Sequence, residues 1–133
     1  MFYKGLCVIP EGRVNKDFLN QKAEIYRVST IKNLDTLLNY ANTYNLGVMY
    51  LSAEFGLLYA DDYVTYSKIP IYRYSGIKLV LWSKVVAEQI YRVCLDNFTS
   101  EVHLMIRQKV CYRYLIKELN SKGIKVIIPL IKT

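Results

Sequence analysis

One serine and three acids, Ser52, Glu54, Asp61 and Asp62, crowd the stretch YLSAEFGLLYADDYV, residues 50–64. Ser52 ends a hydrophobic run, the position from which a serine nucleophile could act. Such a serine needs a base, and His103 is the only histidine. That histidine falls inside a predicted strand, and the local sequence YLSAEFG lacks the GxSxG elbow. Ser52 therefore reads more simply as the cap of the next turn. Glu54 with Asp61 or Asp62 could be a carboxylate pair for acid/base work, or oxygen ligands for Mg²⁺. A phosphoryl-transfer site of that kind ordinarily carries further acids and a lysine, and only Lys68 is near in sequence. The alternative is a solvated turn in which Asp61 bonds its own downstream backbone. Glu54, Asp61 and Asp62 stand as the catalytic candidates, with catalysis itself left open. Gly56 could let a phosphate or base approach the backbone, or could supply a positive φ in a turn. No GxGxxG or P-loop pattern is present, so no nucleotide cofactor, and no cofactor of any other kind, is implied.

The aromatic and basic residues around this stretch point to a different chemistry. Phe55, Tyr59, Tyr63, Tyr66, Tyr72 and Tyr74 surround the acidic turn, with Lys68 and Arg73 among them. Rings interleaved with cations can stack on and neutralise a single strand or an extruded base. Thirteen Tyr against four Phe is an unusual ratio, and a Tyr-rich rim also suits self-association. The net charge of +7 is unevenly spread. Residues 1–67 hold six Lys/Arg and seven Asp/Glu, residues 68–133 twelve and four. A basic half fits a polyanion such as nucleic acid, or a solvated surface. Arg107, Lys109, Arg113 and Lys117 open and line a predicted helix that follows a strand, a natural anion site. Arg113 and Lys117, four apart, share a face.

The elements that must position these residues follow from hydrophobic periodicity. YKGLCVI (3–9) reads as a strand stopped by Pro10. Ser29 or Thr30 can cap a helix carrying Ile31, Leu34, Leu37, Leu38 and Ala41, which Asn45 and Gly47 end. GVMYLS is a continuous apolar strand of the kind buried in a parallel sheet. A long connection over 53–75 precedes a helix over 76–97, with Leu79, Trp82, Val86, Ile90 and Val93 on one stripe. EVHLMI (101–106) is a strand, 108–121 a helix with Val110, Tyr114, Leu115 and Leu119 inward, and IKVIIPL a last strand. Alternation of strand and helix predicts one three-layer α/β domain over 1–133, with a mostly parallel sheet of about four strands flanked by helices. Ligands of such sheets bind beyond the carboxyl ends of the strands, where Ser52–Asp62 and Arg107 fall.

Composition bounds the class. With 53% apolar and 22% charged residues, a chain of this length buries a real core. Cys7, Cys94 and Cys111 form neither a disulfide framework nor a zinc pattern, so no metal is expected. Lys4 interrupts the short apolar start, and Lys78, Lys84, Glu88 and Arg92 interrupt the 77–95 region. A cytoplasmic protein with no signal peptide and no membrane partner is expected.

The run MYLSAEFGLLYADDYVTYSKI resembles the central motif of a widespread uncharacterised α/β domain family: a strand ending in Leu-Ser-Ala, an aromatic-Gly-Leu-Leu, an acidic turn and a later Tyr. KAEIYRVSTIKNLDTLLNYA and VHLMIRQKVCYRYLIKELNSKGIKVIIPL are similar to the segments on either side of that motif, and together the match covers most of the chain from Lys22. More distantly the chain resembles the YaaA peroxide-stress family and an accessory domain of archaeosine synthases. Its LCVIPEGR stands where the family has Ser/Cys followed by basic residues, and Thr65 where a Pro often precedes the late Tyr. The resemblance implies pocket positions Tyr26, Ser52, Glu54, Phe55, Gly56, Asp61, Asp62, Tyr66, Arg107 and Tyr112, and a nucleic-acid or nucleoside neighbourhood. Two readings result. In one, the 52–66 loop binds nucleic acid or a nucleoside-type ligand, with Ser52, Phe55, Gly56, Tyr66, Arg107 and Tyr112 in contact and Lys68, Arg73, Lys109, Arg113 and Lys117 supplying positive charge. In the other, a non-catalytic interaction module forms a homodimer through its Tyr-rich surface.

Overall fold

The run GLCVIP has no charge and is rich in residues that fit a pleated, buried surface, so it makes the strand on which the rest assembles. The computed structural model of the chain describes residues 3–10, 34–60, 62, 71–107 and 109–130. In it, Gly5–Pro10 forms β1, with Leu6 and Val8 in one core and Cys7 and Ile9 in the other. Helix α1 (Leu34–Thr43) leads to β2 (Leu46–Ser52) and β3 (Gly56–Leu58). Helix α2 (Gly76–Asp96) leads to β4 (Glu101–Leu104), and α3 (Arg113–Ser121) to β5 (Lys125–Ile127).

The sheet has five strands in the order β3-β2-β1-β4-β5. β1 pairs in parallel with β2 (Cys7 opposite Val48) and with β4 (Cys7 opposite His103). β5 continues the parallel set and β3 is antiparallel to β2. The chain steps to one side of β1 to make β2 and β3, then crosses to the other side for β4. That reversal puts a crevice beyond the carboxyl ends of β1 and β4. α2 and α3 pack on one face, where Val86, Ile90, Leu115 and Leu119 meet Leu6, Val8, Leu51, Val102 and Leu104. α1 packs on the other, with Ala41, Leu37 and Leu38 against Cys7, Ile9 and Tyr50. Among the described residues no helix is long and apolar enough to cross a membrane.

The α/β architecture with a mostly parallel sheet is the one expected, with one strand more than expected. β3 lies inside the stretch read as connection, where Gly56, Leu57 and Leu58 pair with Ser52, Leu51 and Tyr50. Boundaries differ too: the first strand is Gly5–Pro10 rather than 3–9 and the last ends at Ile127. β4 stops at Leu104 because Ile106 N–H turns back to the Leu104 carbonyl. The helix read as starting at 108 opens instead with a tighter turn, Val110–Tyr112, before α3 begins at Arg113. A three-residue turn rotates Val110 out of the buried stripe, and it is 66% exposed, whereas Leu115 and Leu119 are fully buried as expected. Ile90→Ala, which empties a fully buried site, should cost about 2–5 kcal/mol in urea unfolding. Val110→Ala should stay within about 0.5 kcal/mol of the parent.

Candidate ligand site at the carboxyl edge of the sheet

Residues 50–58 are a strand, a turn and a strand. Ser52 is 1% exposed, and its Oγ accepts hydrogen bonds from the backbone N–H of Glu54 (3.2 Å) and Phe55 (3.1 Å). The hydroxyl thus caps the turn that reverses the chain. Gly56 resumes pairing at φ +74, a conformation that L side chains rarely adopt. A Cβ there would lie 2.6 Å from Gln89 Oε1, the atom that accepts the Leu57 N–H at 3.0 Å. Gly56 is therefore required by its own backbone, and a side chain there would displace Gln89 from the Leu57 N–H. The turn leaves Glu54 and Phe55 exposed at its tip. Asp62 closes the next turn, its Oδ2 accepting from Tyr59 N–H at 2.7 Å while its own N–H reaches the Tyr59 carbonyl at 3.1 Å. Its carboxylate is engaged in local structure of the kind expected for Asp61. Asp61, Tyr66, Lys68 and Tyr26 lie outside the described residues.

The segment that returns toward α2 is tied to this hairpin. The Tyr74 hydroxyl donates to the Ala53 carbonyl at 2.9 Å, fixing the turn Ile71–Arg73 and the start of α2 against the end of β2. Tyr74 meets Trp82 edge-on (6.4 Å, 88°), and Trp82 in turn packs on Tyr112 (6.4 Å). Lys78 Nζ sits 4.5 Å above the Tyr74 ring, a cation–π contact. Outside this aromatic wall, Phe55 (40%), Tyr59 (56%) and Tyr72 (70%) are exposed, as is Arg73. Among the described residues the buried Trp82 indole N–H has no acceptor.

The remaining candidates fall elsewhere. Arg107 is exposed, three residues beyond β4. β1 separates β4 from β2, so Arg107 emerges roughly 10 Å from the end of β2 along the sheet and farther still from Asp62 beyond β3. Tyr112 is 9% exposed and forms the inner wall. Lys109, Arg113 and Lys117 are exposed, and Arg113 and Lys117 share an outer face of α3. The Arg113 guanidinium donates to the Val110 carbonyl and lies 4.6 Å above the Tyr114 ring.

His103 belongs to a third place. Its Nδ1 meets the Tyr40 hydroxyl at 2.6 Å and its Nε2 the Glu101 carboxylate at 2.7 Å. A neutral ring protonated at Nε2 satisfies both contacts. His103 sits level with Val48 across β1, four residues short of Ser52, so roughly 13 Å along the strands separates them. A Ser52–His103 pair is excluded. Burial pushes the Cys7 thiol up to about 12 and Cys94 up to about 11, so neither is a nucleophile at neutral pH. Among the described residues no group of three His, Cys, Asp or Glu is placed to hold a metal ion.

Sequence reasoning took Trp82 only as a core residue and missed Lys78 and Gln89. A glutamine immediately before fully buried Ile90 on the inward half of a helix was the available signal for the last. No protein-family model, curated protein or solved structure matches the chain.

The hydrogen bond to His103, with the nearby Lys4 and Lys125 charges assisting, holds the Glu101 carboxyl below its usual value against the opposing effect of burial. A depressed folded value means that this stabilisation is complete above the unfolded value, about 4.3, and is lost as pH falls through the folded one. Thermal melts from neutral pH downward should show that acid loss in the parent, and Glu101→Gln should reduce it.

Proposed function

We propose that the protein binds nucleic acid or a nucleoside-type ligand at the carboxyl edge of its sheet, using the exposed rings of Phe55 and Tyr72 with Arg73 and Lys78. The observation that carries this reading is the Tyr74–Ala53 hydrogen bond. It holds a segment rich in rings and cations against the turn after β2, so that two stretches distant in sequence present one surface. Base–aromatic stacking is sequence-tolerant, and a neighbouring guanidinium or ammonium neutralises phosphate. The excess of Lys and Arg after residue 67 adds long-range attraction for a polyanion. The engagement of Ser52 in turn-forming hydrogen bonds favours binding over hydrolysis at this edge, and Asp62 lies away from it because β3 carries the chain back along β2. The resemblance of the LSAEFGLL segment to a family with a nucleic-acid neighbourhood agrees with the same class of ligand.

Fluorescence anisotropy with labelled single- and double-stranded DNA and RNA across a salt series tests the reading. Single strands should bind best, with affinity falling as salt rises. Tyr72→Ala should weaken binding by about 1–3 kcal/mol per lost stack, and Arg73→Ala should flatten the salt slope by about 0.7. Absence of binding to all four at low salt, or a Tyr72→Ala variant that binds as the parent does, would overturn it.

A further inference from the structure

The outward face of α2 is unlike a solvated helix face. Ile77 (76%), Leu81 (56%), Val85 (60%) and Leu95 (55%) are exposed, on the side opposite the buried Leu79, Val86, Ile90 and Cys94. A solvent-facing stripe is normally polar, and a contiguous apolar one marks a contact surface. The spacing is more specific than that. Ile77, Leu81, Lys84, Glu88, Tyr91 and Leu95 recur at steps of four and three along Gly76–Asp96, the seam pattern of paired helices. Its ends are apolar, and its centre carries one cation and one anion. The tyrosine-rich segments at the carboxyl edge contribute nothing to it; its one tyrosine, Tyr91, is half-buried with Lys122 Nζ 5.3 Å above its ring.

We infer that α2 is a dimerisation helix, and that its partner is α2 of a second copy of this chain lying antiparallel about a two-fold axis that crosses the outer face at the level of residue 86. In that arrangement Ile77 faces Leu95 of the second copy, Leu81 faces Tyr91, and Lys84 faces Glu88. Each pairing occurs twice, as a two-fold interface requires. Charge selects this orientation. A parallel pair in register would set Lys84 against Lys84 and Glu88 against Glu88, two like-charge contacts, whereas the antiparallel pair makes two opposite-charge ones. Lys84 is exposed and makes no ion pair among the described residues. Glu88 already accepts from Arg92 at 3.2 Å and Lys122 at 3.0 Å, and its two oxygens offer about four lone-pair sites, so room for a third cation remains. A shallow open groove lined by Lys84, Val85, Glu88, Gln89 and Arg92 runs beside the middle of the seam, where side chains of the second helix can seat. The antiparallel pairing sends the two Gly76 ends, and the carboxyl-edge surfaces beside them, to opposite ends of the dimer.

Sedimentation equilibrium of the full chain over a concentration series is the test, read beside far-ultraviolet circular dichroism to establish that each variant is folded. The parent should approach twice the chain mass of 15.6 kDa. Leu81→Lys, a change at an exposed position, should keep the helical spectrum and raise the dissociation constant at least about a hundredfold, because a symmetric seam feels it twice. Lys84→Glu should also dissociate the dimer, and the double variant Lys84→Glu/Glu88→Lys, which restores opposite charges across the seam, should recover it. A parent that stays monomeric at all concentrations would overturn the inference. A dimer indifferent to Leu81→Lys, or a charge-swapped double variant no better paired than Lys84→Glu, would overturn it as well.

Discussion

The hydrogen bond from the Tyr74 hydroxyl to the Ala53 carbonyl joins the two halves of the chain at the edge where ligands of parallel sheets bind. Before it lies the Ser52–Gly56 turn. After it come Lys78, which lies over the Tyr74 ring, and Trp82, which packs between Tyr74 and Tyr112. That bond adds to the packing of Ile71 on the core in holding the ring-bearing segment before α2. With it, the exposed rings and cations have a backing, and ordering them would cost little on binding the proposed ligand.

A second constraint stands behind the first. Gln89 spends its side-chain oxygen on the Leu57 N–H, and the same oxygen fills the space a side chain at Gly56 would need. The hairpin and α2 are therefore fitted to each other at the level of single atoms. α2 faces three ways at once: inward to the sheet through Val86 and Ile90, sideways to β3 through Gln89, and outward through a stripe whose apolar ends and charged centre match its own antiparallel copy. A single helix thus supports the candidate site and offers the surface through which two copies would meet.

Much of the fold was legible because its signals are long. β1 and β2 are continuous apolar runs, and α2 repeats its inward residues over five turns. β3 was not legible because three residues, Gly-Leu-Leu, are too few to show alternation, and only the register with β2 makes them a strand. Val110 was misplaced because a tight three-residue turn and an α-helix share their first residues in sequence but not their rotation. At the site, Ser52 and Gly56 were read as either functional or turn-forming, and their hydrogen bonds and backbone angle give them turn roles. Trp82 was hidden in a helical stripe, because periodicity says which way a residue points and not whether its N–H finds an acceptor. Arg107 and Asp62, both pocket positions by resemblance, follow strands that others separate, a distance that linear sequence does not carry.

The chain's single tryptophan is at the aromatic wall, which makes its emission a direct probe of the central claim. Titration with an unlabelled pyrimidine oligonucleotide should change the Trp82 emission saturably, and added salt should reverse the change. Oligonucleotide binding detected by anisotropy without any change at Trp82 would contradict the account, since the ligand would then be held elsewhere on the molecule.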